Sequence, residues 1–554
     1  MSFATYSPPG SDRRVDLDLS KNEGRPPDMS LLAHVADEAA VVSRYPDLSS
    51  LRRRIAVHVG VDPNQVLVTA GGDDALFRCF FAWLGPGRKA VATSPSFEMI
   101  PVYAAQVGAE LTEVGWWAGD FPGAEVAAAA VDADVVFVVS PNNPTGSVIS
   151  ETALRRLASK VRLVVLDAAY TEFAELDLTG VGLDLDNVVT IRTFSKAWGL
   201  AGLRVGYLLG NPDLVSEIGA YANPYPVSGL SASLAANRLS ATREVSELVE
   251  TVKYQRQTLT GVLQAHGVET LPSQANFVLA RFTDAEWVTA AAASLGVGLR
   301  SFPERLGLED QVRITLPGSP ETFGRLIHVL SSAISPDALL FDLDGVLADV
   351  SRSQVAAIIE TAASFGVTVD REDIDEAKSL GNANDDWELT RRLCFNAGIE
   401  VSPSEVTARF ETIYQGADSR SGLKLAETPL VDAATLGRWA ERFPIGVVTG
   451  RPHRDADEFL TRSGLADVVT VVVTRDDAPL KPDPGPVRLA LDQLGVRRAW
   501  MLGDTPDDIA AARQAGVIPI GVTAPGTNRD LARDALSDAA RILDKTIDLE
   551  GLLP

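Results

Sequence analysis

The sequence predicts an α/β fold throughout, laid out as two successive parts. Short apolar runs alternate with longer amphipathic stretches along the whole chain, which is the pattern of strands and helices in turn. The runs Val135–Val139 and 163–166 are unbroken apolar segments, each followed at once by polar residues. Strands buried on both faces of a parallel sheet read this way, with functional groups gathered at their carboxyl ends. Residues 338–341, 445–448 and 499–502 repeat the design in the last third.

A chain of 554 residues exceeds one core, and roughly three to four domain-sized units are expected. The main boundary is read at Ser331-Ser332-Ala333-Ile334-Ser335-Pro336, a short polar segment after a helix expected over 320–332. Residues 1–332 form the first part, with a large subdomain over about 45–240 and a small one from 1–44 plus 241–332. A long helix near 241–265 leads into the small subdomain, and a linker spans 333–337. Residues 338–554 form the second part, in which about 352–425 reads as mostly helical, like a cap inserted between two strands.

Hydrophobic content of 46% and charged content of 22% are those of an ordinary globular protein. The net charge of −24, without any run of Lys and Arg, argues against a nucleic-acid partner. No apolar run approaches the ~20 residues of a membrane span. The first twelve residues lack the basic-then-apolar pattern of a secretory signal, so a cytoplasmic protein without a membrane partner is expected. Cys79 and Cys394 have no Cys or His at metal-ligand spacing and read as buried free thiols. Gly85-Pro86-Gly87-Arg88-Lys89-Ala90 matches a GxGxxA dinucleotide pattern, but it precedes an expected strand at 89–93 instead of following one, so a turn is expected.

Two clusters carry chemistry. In the first, Lys196 follows Ser195 and is followed by Arg204, while Asp167 ends a buried strand where a carboxylate is costly without a cationic partner. Pyridoxal phosphate needs such a set: an amine to hold its aldehyde, a carboxylate for its ring N–H, and donors for its phosphate. Tyr170 and Asn143, the latter in Ser140-Pro141-Asn142-Asn143-Pro144-Thr145-Gly146, can both donate to the ring's phenolate oxygen.

In this order the motifs over residues 1–330 resemble the fold-type I aminotransferases, and most nearly histidinol-phosphate aminotransferase. The likeness rests on Arg44-Tyr45-Pro46-Asp47 with Leu51-Arg52, on the Asn143 loop, on 192–207, on Ser273-Gln274-Ala275-Asn276-Phe277 and on Arg313-Ile314-Thr315. The resemblance implies Gly72 and Asp73 at the cofactor phosphate, Phe97 stacked on the ring, and Tyr45 reaching the phosphate of a neighbouring subunit, hence a homodimer. It also implies Arg313 clamping an anionic substrate group, a carboxylate in the wider family. Three departures lie near the expected substrate: Ala168 within Asp167-Ala168-Ala169-Tyr170, Gly24-Arg25 after Asn22-Glu23, and Pro317.

In the second cluster, Asp342 and Asp344 alternate at the end of an apolar strand and repel each other unless a cation or a proton intervenes. Asp504 and Asp508 follow another strand, and oxygens converging from these four suit Mg²⁺. Thr449 offers a hydroxyl to phosphate, and Lys481 a cation. The quartet, spread over 338–525, resembles the haloacid dehalogenase superfamily of phosphatases, a Rossmann-like fold with a cap. That resemblance implies Asp342 as nucleophile toward phosphorus and Asp344 as acid, then base. Asp342, the Asp344 carbonyl and Asp504 would hold Mg²⁺, with Asp508 as an alternative or outer ligand. Gly381-Asn382-Ala383-Asn384-Asp385-Asp386-Trp387 in the cap leaves two readings open, a specificity pocket or a turn between helices.

A bifunctional enzyme is therefore expected. One part transaminates a phosphorylated amino alcohol or its keto form with an amino-acid/2-oxo-acid pair, and the other removes the phosphate. Two alternatives stand: decarboxylation of a phosphorylated amino acid at the first site, and a separate or regulatory phosphatase, including one acting on pyridoxal phosphate.

Overall fold

The structure, a computed structural model, describes residues 15–28, 30–33, 39–417 and 420–554. It divides into two compact units, Asp18–Ala285 with Leu299–Arg325 and Glu286–Gly298 with Leu326–Pro554.

The first unit is built on a seven-stranded sheet: β1 (Val66–Thr69), β2 (Lys89–Ser94), β3 (Glu110–Gly115), β4 (Val135–Val139), β5 (Val164–Asp167), β6 (Val188–Thr193) and β7 (Gly206–Gly210). The spatial order is β1-β7-β6-β5-β4-β2-β3, and only β7 runs against its neighbours. Valines dominate β4, which is buried at every residue, as a strand covered on both faces requires. The carboxyl ends of β4, β5 and β6 lie side by side, in register through Val139–Asp167 and Asp167–Ile191.

On one face of this sheet, helix Gly72–Trp83 buries Phe80, which stacks on Phe137 of β4 with centroids 4.2 Å apart and rings 4° from parallel. Both rings are fully enclosed. Phe80→Ala leaves a ring-sized void and is expected to destabilise this unit by about 3–5 kcal/mol, read as a lowered midpoint for its unfolding in urea. The 85–90 segment joins this helix to β2, so it is the turn expected from its position, with Gly87 at φ +80°.

A separate antiparallel sheet follows the long helix Thr242–Ala265: β8 (Glu269–Thr270), β9 (Phe277–Arg281), β10 (Arg300–Ser301) and β11 (Gln311–Thr315), in the order β10-β11-β9-β8. Helix Pro320–Ile334 ends two residues later than the sequence suggests, because Ala333 still packs its apolar face inward.

The second unit holds a six-stranded parallel sheet in the order β14-β13-β12-β15-β16-β17: β12 (Ala338–Phe341), β13 (Ile445–Val448), β14 (Val471–Val473), β15 (Ala499–Gly503), β16 (Ile518–Val522) and β17 (Arg541–Leu543). Between β12 and β13 the chain forms the helices Gln354–Ser364, Arg371–Ser379, Asp386–Asn396 and Pro403–Gln415. These share a core of their own, with Ile358, Leu389 and Val406 wholly buried. A two-stranded pairing of Ala348–Asp349 with Thr428–Pro429 marks where the chain enters and leaves this helical insertion.

Cys79 and Cys394 are both free and buried. Among the described residues no helix is long and apolar enough to cross a membrane.

Candidate active sites

The first site is a cavity of about 410 Å³ at the carboxyl ends of β4, β5 and β6. Of the residues expected there, Gly72, Asp73, Phe97, Asn143, Asp167, Tyr170, Ser195, Lys196, Arg204 and Arg313 all line it. The Lys196 amine donates to the Lys21 carbonyl at 3.3 Å and stands 5.5 Å from the centre of the Tyr170 ring. Asp167 accepts a bond from the Ala169 amide at 3.1 Å, and burial pushes its carboxyl up to about 7. A carboxylate in that setting is ready for a cationic or N–H partner from the cavity.

Asn142 and Asn143 separate cleanly. Asn142 is wholly buried and braces the loop, donating to the Pro95 carbonyl and Thr145 hydroxyl and accepting from Ser96. Asn143 faces the cavity, and its Oδ1 accepts from Arg313 Nη1 at 2.6 Å. That bond fixes the amide's orientation and turns its N–H donors elsewhere. Arg313 also donates to the Ser20 carbonyl at 2.6 Å, so the guanidinium is oriented before any substrate arrives.

Also lining the cavity, Gly72 opens helix Gly72–Trp83, whose first backbone N–H groups favour an anion. Arg204 stands beside it, 3.2 Å from the Asp73 carboxylate and 3.5 Å from the Ser195 hydroxyl. Thr193 donates to the same hydroxyl at 2.9 Å. An N-terminus, a hydroxyl and a guanidinium in one place make a phosphate cradle.

Tyr45 does not line this cavity; it is 81% exposed and stacks on Tyr225 with centroids 4.4 Å apart. The Gly24 departure has a packing cause: a Cβ there would lie 1.8 Å from the Lys196 carbonyl oxygen, so the turn carrying Lys196 requires glycine opposite it. Asn22 is a site residue that sequence reasoning passed over. It donates to the Tyr170 hydroxyl at 3.2 Å and accepts from Thr315 at 2.7 Å, tying Tyr170 to β11. Glu98 and Arg300 pair across the cavity wall at 3.2 Å and were equally invisible, lying far apart in sequence.

The second site lies at the carboxyl ends of β12, β13 and β15. Asp342, Asp504 and Asp508 bring carboxylate oxygens within 4.8 Å of one another, a spacing suited to one cation. Lys481 reaches into the group, with its amine 2.7 Å from Asp342 Oδ1, 2.5 Å from Asp508 Oδ1 and 2.9 Å from the Val448 carbonyl. Burial pushes Asp342 up to about 7 and Asp504 well above the usual carboxylate range, because charges this close cannot all be dehydrated unneutralised. Asp508 spends its other oxygen capping its own helix, accepting from the Thr505 amide and hydroxyl. Gly345 (φ +74°) is compulsory, since a Cβ would lie 2.3 Å from Asp504 Oδ2.

The Asp344 carboxylate stands apart from that group. Arg451 donates to its Oδ1 and Gln354 to its Oδ2 at 2.9 Å. Burial alone would raise its pKa, but Arg451 holds it below the usual range. Among the described residues its carboxylate is not one of the three that converge on a cation-sized space. Thr449 is buried at the end of β13 and accepts from the Arg451 amide at 3.1 Å. Arg451 itself, two residues past Thr449, was detectable only as a cation following a strand end.

The 381–387 segment is at once a helix-capping turn and part of a cavity wall. Asp385 caps helix Asp386–Asn396, while Asn384, Asp386 and Trp387 line the cavity above Asp342 and Asp344. Asp507 fixes the segment by accepting from the Asn382 and Ala383 amides and the Asn384 side chain, each at 3.0 Å.

Comparison with known proteins agrees with this division. Residues 16–330 match the family "Aminotransferase class I and II", and residues 336–516 match "haloacid dehalogenase-like hydrolase". A histidinol-phosphate aminotransferase from Caldanaerobacter subterraneus subsp. tengcongensis is 34% identical over 301 residues, covering 53% of this chain and 85% of that protein. An imidazoleglycerol-phosphate dehydratase from Phytophthora nicotianae is 45% identical over 222 residues, 39% of this chain; the chain spans about half of that relative, 48% of its length. Among solved structures, the histidinol-phosphate aminotransferase of Sinorhizobium meliloti in complex with pyridoxal-5'-phosphate superposes with a TM-score of 0.54 at 25% identity, over 58% of this chain and 92% of that one.

Proposed function

The chain belongs to the class I and II aminotransferases and carries a haloacid dehalogenase-like hydrolase domain behind that part; from this premise we propose that it is a bifunctional enzyme acting on histidinol phosphate. The aminotransferase part interconverts the keto and amino forms of the phosphorylated compound, and the hydrolase part removes the phosphate. The observation that carries the reading is that one chain holds two cavities at the carboxyl ends of sheet strands, one lined by Lys196, Asp167, Asn143 and Arg204 and the other by Asp342, Asp344 and Asp504. The names of two relatives, one for histidinol phosphate and one for imidazoleglycerol phosphate, favour an imidazole-bearing phosphate ester for both sites.

The first cavity fits pyridoxal phosphate: its lining holds the buried Asp167, the Lys196 amine, and the Ser195 hydroxyl, Arg204 guanidinium and helix start at Gly72 that suit a phosphate. When bound, the cofactor supplies an electron sink for the carbon bearing the amino group. Lys196 would hold the cofactor aldehyde in the resting enzyme and, once substrate amine displaces it, its free amine would carry the proton at that carbon. Asp167 would pair with the ring N–H, Asn143 and Tyr170 would donate to the ring phenolate, and Phe97 would lie against the ring. Ser195, Arg204 and the amides of Gly72 and Asp73 hold the cofactor phosphate. Arg313 takes the carboxylate of the amino-acid/2-oxo-acid partner. Tyr45, exposed here, serves a second copy of the chain in a homodimer.

In the second site Asp342 and Asp504 would hold Mg²⁺ with the Asp344 carbonyl, with Asp508 as the alternative or outer ligand; the ion would supply the positive charge that lets a phosphate dianion approach carboxylates. Asp342 attacks phosphorus and Asp344 handles the proton. Thr449 and Lys481 hold the phosphate and the charge on Asp342. Both reactions take place on small molecules in the cytoplasm.

The test is purified protein with histidinol phosphate, 2-oxoglutarate, pyridoxal phosphate and Mg²⁺, with glutamate and inorganic phosphate measured separately. Both should form. Release of CO₂ from a phosphorylated amino acid, without glutamate, would replace transamination with decarboxylation. Phosphate released from free pyridoxal phosphate, with histidinol phosphate untouched, would make the hydrolase a separate activity. Chelation with EDTA is expected to stop phosphate release and leave glutamate formation unchanged, with Mg²⁺ restoring the lost activity. Retained phosphate release in EDTA would remove the metal from the account.

A further inference from the structure

Most charged side chains lining the cavity above Asp342 and Asp344 are already spent on one another. Arg451 donates to Asp344 at 2.8 Å and to Glu427 at 3.0 Å. Arg475 pairs with Asp385 at 2.8 Å and lies 4.5 Å over the Trp387 ring. Arg454 takes Glu411 at 3.2 Å and Asp455 at 2.9 Å, and Gln415 donates to Asp455 as well. Asp342 and Asp504 belong to the three-carboxylate group.

Two charges remain, Lys378 and Asp386, and both come from the helical insertion. Among the described residues neither side chain makes a hydrogen bond or an ion pair. Asp385 is the contrast: it accepts from the Trp387 and Glu388 amides at 3.0 and 3.2 Å and also holds Arg475. Asp386, the next residue, lines the cavity with its carboxylate unbonded. Lys378 stands in the last turn of helix Arg371–Ser379. Burial alone would lower its ammonium, but the Asp386, Asp504, Asp344 and Asp342 carboxylates around it hold it above its usual range. Burial pushes Asp386 up to about 6, so at pH about 8 both groups are charged. A charge withdrawn from water without a partner costs free energy, and one of each sign on one cavity wall suits a ligand that carries both.

Resting on the phosphatase reading, we infer that the hydrolase selects phosphate monoesters that carry an ammonium group, Lys378 taking a phosphate oxygen and Asp386 the ammonium. Lys378 shares its surroundings with the carboxylates assigned to the phosphate, so the phosphate is its partner. Asp386 would repel that dianion, and the cationic end of the substrate falls to it. Histidinol phosphate has this form, with its ammonium on the carbon next to the one that bears the phosphate oxygen. The keto form lacks that charge, so the same two residues spare it until transamination has taken place.

The test gives the full-length protein, with Mg²⁺ and no 2-oxo acid at pH about 8, either histidinol phosphate or imidazolylpropyl phosphate, the same ester without the amine. Wild type should favour the amine on the order of 10²-fold in kcat/KM, the scale of a desolvated charge pair. Asp386→Asn keeps the shape of the side chain. It should lower kcat/KM for histidinol phosphate on the order of 10²-fold and for the desamino ester by less than about threefold. Comparing the ratio of the two esters between wild type and variant cancels the difference between their leaving alcohols. Asp386→Ala is the second variant and should collapse the ratio in the same way. Lys378→Gln should raise KM for both esters alike, since both carry the phosphate. Equal kcat/KM for the two esters in wild type would overturn the inference and leave the phosphatase reading standing. A ratio unchanged in both Asp386 variants, or a Lys378→Gln loss confined to the amine, would overturn it too. Wild-type protein that cleaves neither ester would overturn the phosphatase reading and this inference with it.

Discussion

Asp342→Asn is expected to end phosphate release from histidinol phosphate, with a loss of at least about 10⁴-fold, the scale set by removing a covalent nucleophile. The carboxylate lies at the end of β12, 2.7 Å from the Lys481 amine and within the three-carboxylate group that suits a cation. An amide at that position keeps the shape and one hydrogen bond, but it cannot attack phosphorus and is a weaker ligand for Mg²⁺. Glutamate formation should be untouched, because every residue assigned to transamination lies in the other unit. Inorganic phosphate and glutamate measured in the same tube check both halves. Residual phosphate release within tenfold of wild type would mean that another group attacks.

Lys196→Ala is expected to have the mirror effect, a fall in glutamate formation of roughly 10⁴-fold or more, since both the covalent hold and the proton carrier vanish. The cavity itself should survive: Lys196 makes one side-chain bond, to the Lys21 carbonyl, and no ion pair in the described structure. The variant should therefore still take up pyridoxal phosphate through Arg204, Ser195 and the helix N-terminus. Borohydride should attach the cofactor to wild-type chain and not to the variant, as read by mass. Phosphate release should stay at the wild-type rate. A variant that still transaminates would displace Lys196 from the mechanism.

These two residues were legible in the sequence for a local reason. A strand buried on both faces is a continuous apolar run, so the first polar side chains after it stand at the sheet's carboxyl edge, where ligands bind. Asp167, Asp342, Thr449 and Asp504 stand at such strand ends and Lys196 stands three residues past β6; the structure brings Asp167, Lys196, Asp342 and Asp504 to their cavities and leaves Thr449 buried against the Arg451 amide. The helical insertion was legible too, because four helices packing on one another repeat their apolar residues at helical spacing.

What the sequence hid are residues that act across long separations. Asn22 meets Tyr170 over 148 positions, and Glu427 meets Arg451 over 24. Nothing local marks a buried asparagine or glutamate as different from a surface one. Arg313 shows a subtler limit: the family resemblance implied a substrate clamp, while nothing in the sequence marked its bonds to Asn143 and Ser20, which set the orientation of a neighbouring cavity residue. The 381–387 segment stayed ambiguous because a turn and a polar pocket wall call for the same residues, and here one segment is both.

The central claim is that both sites serve one compound in sequence. The most direct measurement supplies wild-type protein, loaded with pyridoxal phosphate and Mg²⁺, with imidazole-acetol phosphate and glutamate, and follows 2-oxoglutarate, histidinol and inorganic phosphate together. All three are expected to accumulate, with histidinol and phosphate equal to one another and trailing 2-oxoglutarate. Formation of 2-oxoglutarate with histidinol phosphate left intact would contradict it, because the hydrolase would then serve some other ester.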